Sequence, residues 1–514
     1  MNRREQWGSR TGLILSMAGN AIGLGNFLRF PVQAAQNGGG AYMIPYFISF
    51  ILLGIPLMWI EWGIGRYGGT IGHGTAPGMF DSLWKNKLAK YAGTLGIFLP
   101  LVVLIYYTYI CSWTLAFSFY SLFNLYPSAG AALAAGSAGE YLIPYQNYLY
   151  DYIGVSSGGV FQVPNPAAYA FFAVTLLTTL YVLMKGVSGG IEKLNNLAIP
   201  ALFIMGFVLF IRVITLKSPV DPALTASRGF GFLWEPDLKG IISPKVWLAA
   251  AGQIFFTLSL GLGAILTYAS YVKRDEDIVL DGLATASLNE LAEVVLGSTI
   301  AIVSAVIFFG VEGAREISEG GAFKLGFISM PAIFTHMPFG QFFGFLWFLL
   351  LFFAGLTSVV ALSQPAIAFF EDEFGWSRKR SVVSLGIFAA LTVLIPMFVR
   401  GGLDEMDFWA GTFGLVILAL FEVIIFFWIF GAENAWEEIG RGARIKVPRI
   451  FFYIMKYVTP AFLIIILFAW TYEQLPSVIA KGDRGVWATR LFLIFLLLLH
   501  IGAVRWAWKR RKHG

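Results

Sequence analysis

Gly19-Asn20-Ala21-Ile22-Gly23-Leu24-Gly25-Asn26 sits in the middle of an apolar run near the N-terminus. A second stretch, Thr257-Leu258-Ser259-Leu260-Gly261-Leu262-Gly263, sits in another run about half-way along the chain. Both should be hard to keep helical. Glycine costs about 1 kcal/mol relative to alanine in a helix interior, so the three glycines between 19 and 25 make local unwinding cheap. Gly19 and Gly23 by themselves would more readily form a small-residue face for helix packing than a break. Asn20 and Asn26 favour a break, because a side-chain amide at membrane depth is expensive unless it has a partner. An unwound span presents bare carbonyls and amides, and paired glycine-interrupted segments in corresponding positions of two halves point to a binding site at the membrane midplane.

The rest of the chain supplies the membrane. Of 514 residues, 57% are hydrophobic and 13% charged, which would leave a soluble fold with far too much apolar surface facing water. A span needs roughly 20 apolar residues. Such runs are expected to begin near 10, 41, 88, 166, 191, 241, 276, 337, 381, 405, 450 and 486, which gives an all-α integral membrane protein of about twelve spans. The two broken stretches then fall in spans one and six. These are equivalent positions if the first ten spans are two inverted repeats of five. The expected parts are 1–240, holding the first repeat and an extracellular loop; 241–430, the second, inverted repeat; and 431–514, two additional spans and a tail. The connections 126–165 and 307–336 are long enough to carry structure, the latter as short re-entrant helices. Pro56, Pro100, Pro200, Pro365 and Pro460 read as kinks. The N-terminal run lacks a small-residue cleavage site and is expected to be a retained helix.

The formal charge of +6 is placed as topology and does not form a nucleic-acid surface. Lys and Arg gather at both termini and in alternate connections, while 126–165 has none. By the positive-inside rule, both termini are cytoplasmic in a multi-pass protein of the plasma membrane. The single Cys111 excludes an internal disulfide framework. Of the four histidines, His73, His336 and His500 lie far apart and His513 is in the tail, so structural roles are expected. No Ser-His or Asp-Asp dyad, metal motif or nucleotide loop has a believable context, which argues against an enzyme.

The polar residues expected inside the membrane converge on few spans. Besides the broken segments they are Glu61 in span two, Tyr107 in span three, Asn289 and Glu293 in span seven, and Thr357, Ser358 and Gln364 in span eight. Neutral oxygens dominate, and these are hard donors suited to a small cation.

The runs GNAIGLGNFLRFP at 19–31, NGGGAYMIPY at 37–46, GQIFFTLSLGLGA at 252–264, LNELAEV at 288–294, FFAGLTS at 352–358 and LDEMDFWAGT at 403–412 carry a resemblance across nearly the whole chain. The sequence resembles the neurotransmitter:sodium symporter family, most closely its bacterial leucine-transporting members. The resemblance implies two sodium ions and no organic cofactor. It places the first ion among the Ala21 carbonyl, Asn26, Thr257, Asn289 and the substrate carboxylate. The second falls among the carbonyls of Gly19, Ile22 and Ala354 with Thr357 and Ser358. The substrate carboxylate would meet amides around Leu24 and Gly25 and the Tyr107 hydroxyl. The amine would meet carbonyls of Ala21, Phe256, Thr257 and Ser259, with Asn20 alongside. The side-chain pocket maps to Val103, Tyr107, Phe256, Ser259, Leu262, Ser358 and Leu362.

Leu262 and Leu362 stand where the bacterial leucine-transporting members that the sequence resembles have Phe and Ile, which implies a larger cavity and tolerance of Met, Phe or Tyr beside Leu. Arg29 and Asp407 match the family's water-bridged outer gate, and Arg4 and Asp372, supported by Trp7 and Tyr271, the inner latch. Without the resemblance these would read as solvated or merely structural pairs. Glu61 and Glu293 would be deep carboxyls, protonated or tightly paired. Glu293 stands where chloride-dependent members have a neutral residue, so the carboxylate is expected to replace chloride. A helix-packing hydrogen bond from a neutral acid is the alternative.

The expected function is sodium-coupled symport of small hydrophobic amino acids by alternating access. The partners are the amino acid and the bilayer, with a homodimer possible. A non-transporting receptor or a channel on the same scaffold is the alternative, and paired gates on both faces favour transport.

Overall fold

The computed structural model describes residues 5–127, 138–155, 160–236 and 240–513. Among them, ten helices are long and apolar enough to cross a bilayer: Gly40–Thr70, Ala89–Leu122, Pro166–Met184, Val187–Ile214, Ile278–Glu319, Gly340–Phe374, Arg378–Phe398, Gly402–Ile429, Ile450–Ala480 and Arg484–Arg510. Two interrupted segments complete the order. Arg10–Ala21 and Gly25–Gln36 meet at 49°, and we number this pair span 1. Pro244–Thr257 and Ala264–Ala269 are separated by the non-helical residues 258–263; this pair, too short to be counted with the ten, is numbered span 6. The ten continuous helices are then spans 2–5 and 7–12 in chain order. Among the described residues the only β contact is an isolated bridge between Phe161 and Val399.

Local chemistry sets several of the helix starts. The Ser9 hydroxyl accepts the Gly12 amide at 3.0 Å, and the Asp277 carboxylate accepts that of Leu280 at 3.0 Å, each satisfying an amide that a first turn leaves free. Pro56 and Pro460 each follow a π-helical turn, Phe50–Gly54 and Ile454–Val458, while Pro100 and Pro200 lie inside helices.

Span 3 is the central post. In its most apolar stretch 94% of residues are buried, against 33% in span 12, which leaves Leu491, Phe495 and Leu498 to the lipid. Spans 3 and 8 pack along their length. At their crossing a Cβ on Gly355 would stand only 2.8 Å from the Cys111 sulfur, so the small residue is what allows the approach. The Cys111 thiol is fully buried and donates to the Phe352 carbonyl at 3.8 Å.

The long connections do carry structure. Gly139–Ile153 is a helix in the first, and residues 128–137 and 156–159 there lie outside the described residues. In the second, the chain bends at Gly310 (φ 73°), runs helically to Glu319, and returns as Gly321–Thr335. The two connections meet where the Tyr145 hydroxyl pairs with that of Thr335 at 2.7 Å and Tyr141 reaches the His336 ring. Ion pairs then tie remote parts together: buried Arg66 to Glu438 at 2.9 Å and buried Arg490 to Glu405 at 2.8 Å, and the partly exposed Arg10 to Asp281 at 2.6 Å. Removing one partner of either buried pair costs about 3–5 kcal/mol, because the other charge is left buried and alone.

Candidate substrate and ion site

The break in span 1 is three residues long. Ala21 ends the first half, Ile22 turns extended (ψ 103°), and a π-helical turn from Gly25 to Arg29 opens the second. Its freed amides are taken by side chains. Gly23 N–H donates to Asn26 Oδ1 at 2.8 Å and Leu24 N–H to the Tyr107 hydroxyl at 2.7 Å. The break in span 6 is longer and passes three times through the left-handed region, at Ser259 (φ 55°), Gly261 (φ 68°) and Gly263 (φ 76°). Glycine is required at 261, where a Cβ would collide with the Leu415 carbonyl. Glu61 Oε1 accepts the Gly261 amide at 2.7 Å, and Ser259 Oγ donates to the Asn20 carbonyl at 2.9 Å, joining the two breaks.

Two oxygen clusters lie beside the breaks. In the first, Asn26 Nδ2 donates to Asn289 Oδ1 at 2.8 Å and to Thr257 Oγ1 at 3.0 Å, and Asn289 Nδ2 donates to the same Thr257 oxygen at 2.9 Å. Ala21 lies next to them on the chamber wall. Glu293 backs this cluster, accepting from Thr257, from Tyr46 at 2.9 Å and from Gln253 at 3.1 Å. In the second, Ser358 Oγ donates to the Ala354 carbonyl at 3.0 Å and to that of Gly19 at 3.4 Å, while Thr357 Oγ1 lies 3.1 Å from the Ala354 carbonyl. Ile22 caps the adjoining half-helix. The donors are neutral oxygens in both clusters, as a small hard cation requires. Among the described residues no group of three or more His, Cys, Asp or Glu could hold a metal ion.

Between the clusters is a chamber of about 450 Å³, open solvent at its mouth included. Asn20, Ala21, Gly25, Val103, Tyr107, Phe256, Ser259, Leu262, Ser358 and Leu362 line it. Leu24 and Thr257 do not; the former gives its amide to Tyr107 and the latter faces the first oxygen cluster. Gly411 and Leu415 of span 10 also line the chamber and were not expected from the sequence. Both amide atoms of Asn20 are buried and have no hydrogen-bond partner among the described residues, polar groups facing a site that can satisfy them.

On one side an open vestibule of about 1490 Å³ is lined by Arg29, Gln33, Lys245, Asp404, Glu405, Asp407 and Lys481, among others. Arg29 and Asp407 share it without a direct ion pair. The guanidinium lies 4.3 Å over the Phe256 ring, and the Asp407 carboxylate accepts from Tyr106 at 2.7 Å. On the opposite side, buried Trp7 donates to the Tyr268 carbonyl at 3.1 Å and stacks edge-on with Tyr268 and Tyr271. The Tyr271 hydroxyl accepts from Gln364, whose carbonyl oxygen accepts from Arg378. Arg4 lies outside the described residues, and with it the expected Arg4–Asp372 latch. The described part of this closure contains anchors that sequence reasoning missed. Glu192 accepts from Gly8 N–H and Ser9 Oγ, both at 2.7 Å, and Glu5 accepts the Val187 amide at 2.9 Å.

This geometry has known counterparts. The model of the sodium:neurotransmitter symporter family matches residues 4–131 and 154–508. The chain belongs to that family. An uncharacterised sodium-dependent transporter of Methanocaldococcus jannaschii is 30% identical over 96% of this chain and 95% of its own length. The sodium-dependent nutrient amino acid transporter 1 of Drosophila willistoni is 27% identical over 90% of this chain and 77% of its own. Among solved structures, MhsT in complex with L-phenylalanine aligns with a TM-score of 0.74 at 27% identity, covering 91% of this chain and all of that one. Family membership makes the protein a sodium-coupled, multi-pass membrane transporter and not an enzyme.

Proposed function

We propose that the protein carries small hydrophobic amino acids into the cell by symport with two sodium ions, in the plasma membrane with both termini cytoplasmic. The observation that carries this reading is the meeting of Asn26, Thr257 and Asn289 from three spans, with Asn26 at the wall of a chamber between two broken helices. All three are neutral, so a cation there and the carboxylate of a bound amino acid supply each other's missing charge. Each then raises the other's affinity by the same factor, which is the physical basis of coupling. The second ion would sit among the Gly19, Ile22 and Ala354 carbonyls, Thr357 and Ser358, holding span 1 against span 8. The substrate amine would meet the carbonyls left bare by the breaks. Its carboxylate would lie toward the N-terminal end of the second half of span 1, near Gly25 and the Tyr107 hydroxyl, where the helix dipole is positive.

Val103, Phe256, Leu262 and Leu362 give the chamber an apolar wall with no fixed charge for an acidic or basic side chain. Leu262 and Leu362 leave room for Met, Phe or Tyr as well as Leu, and the phenylalanine in the MhsT complex supports this reading. Glu293, held by Tyr46, Gln253 and Thr257, supplies beside the first site the negative charge that chloride would otherwise bring, so transport proceeds without chloride. Arg29 and Asp407, with Phe256 and Tyr107 below them, close the vestibule side. The Trp7–Tyr271 cluster, with Arg4 and Asp372, closes the other.

The test is uptake of a panel of amino acids into proteoliposomes with and without an inward sodium gradient. Accumulation of Leu, Met and Phe only with the gradient is expected. Uptake indifferent to sodium would refute the coupling, and binding without accumulation would make the protein a receptor.

A further inference from the structure

Asn195 of span 5 belongs to none of the sets above. It is fully buried, and its Nδ2 donates to the Ile191 carbonyl at 2.8 Å. Among the described residues its Oδ1 has no hydrogen-bond partner. A buried acceptor left unsatisfied costs about 1–3 kcal/mol, so an orphan of this kind calls for a ligand. Its place says which. A Cβ on Gly19 would collide with Asn195 Oδ1 and stand 3.1 Å from the Thr357 Cβ, so the amide oxygen sits against Gly19 and beside Thr357. Both residues belong to the second oxygen cluster. The side-chain donors of that cluster are already spent: the hydroxyls of Thr357 and Ser358 donate to helix carbonyls, leaving lone pairs. A further bare oxygen brought against such a set is repelled by it until a cation draws the dipoles together.

We propose that Asn195 Oδ1 is an additional neutral oxygen donor for the second sodium ion, acting directly or through one bridging water from the side of span 5. This rests on the reading of Gly19, Thr357 and Ser358 as ligands of that ion. It makes the ion a tie among three spans, 1, 5 and 8, and makes the amide a determinant of how much sodium the protein needs.

The test uses the full-length protein in nanodiscs and reads two quantities: the sodium concentration that half-saturates leucine binding, and the melting temperature in choline, where no sodium is present. Asn195→Leu keeps about the same volume and removes the whole amide, the bond to the Ile191 carbonyl included. It should raise the half-saturating sodium concentration roughly threefold to tenfold, the loss of one such interaction, without lowering the choline melting temperature, because removal of the unmet oxygen offsets the lost bond. Asn195→Asp keeps an oxygen in place and adds charge, and should lower the requirement below that of the native protein. A merely structural amide would lower the choline melting temperature in Asn195→Leu and would not give opposite signs for sodium in the two variants, a result that would overturn the proposal. Thr357→Ala separates the two levels of inference. If it raises the sodium requirement while Asn195→Leu does not, Asn195 is no ligand and the second site stands. If neither substitution raises it, the reading of the second site fails and takes this proposal with it.

Discussion

The interruptions of spans 1 and 6 are made by different means. In span 1 the gap is three residues, and side chains fasten it and its edge: Tyr107 of span 3 on Leu24, Asn26 of the second half on Gly23, and Ser358 of span 8 on Gly19 at the end of the first half. In span 6 the gap is twice as long and is shaped by backbone conformation, with three residues in the left-handed region and a single carboxylate, Glu61, on the Gly261 amide. The first break places oxygens beside both clusters, whereas the second turns Ser259 and Leu262 into the chamber wall. On the proposed reading the first break weighs more in holding ions and the second, although its Thr257 joins the first cluster, more in measuring the substrate, so damage to each should have a different signature.

The largest effect is expected from Asn26→Ala, which removes an amide bonded at once to Gly23, Thr257 and Asn289. Sodium-driven leucine uptake into proteoliposomes should fall by about 100-fold, the loss of two or more buried hydrogen bonds. Gly261→Ala should act on the fold before it acts on transport. The left-handed conformation alone costs a side chain about 1–2 kcal/mol, and the Leu415 carbonyl leaves it no room, so the purified protein should melt several degrees lower. Tyr107→Phe takes away the hydroxyl on Leu24 and should weaken leucine binding at saturating sodium about tenfold, as equilibrium binding would show. Leu262→Phe should discriminate between substrates. Competition by phenylalanine for bound leucine should drop roughly threefold to tenfold with leucine affinity little changed. The smallest effect is none at all: replacing chloride by gluconate should leave uptake unaltered, whereas Glu293→Ser should make it depend on chloride. If Asn26→Ala and Leu262→Phe shifted sodium dependence and substrate preference alike, the division of labour between the breaks would be wrong.

The order of the spans was legible because lipid imposes it. A run of apolar residues has one use at that length, and the described helices begin within a few residues of the apolar runs. The breaks were legible because glycine and asparagine are costly inside a membrane helix, and the motif runs led to the chamber. Less legible were the parts fixed by pairing between residues distant in sequence. Nothing in the local pattern says that Glu192 holds Gly8 and Ser9, that Arg66 pairs with Glu438, or that Gly411 and Leu415 close the chamber. Ala226–Trp234 and Ala432–Gly440 escaped notice because a helix of nine residues between spans lacks the length that betrays the others. Asn195 was overlooked for the opposite reason. It reads as one more polar residue near a basic connection, and only its unmet oxygen sets it apart.

Cys111, sealed between spans 3 and 8 against Gly355, is the chain's single thiol. Impermeant maleimides in bulk water have no path to it, so the native sequence already serves as a silent background for labelling. A cysteine installed at Asp404 on the vestibule rim would report one face of the membrane, and one installed at Ser9 the other, with no prior engineering of the chain.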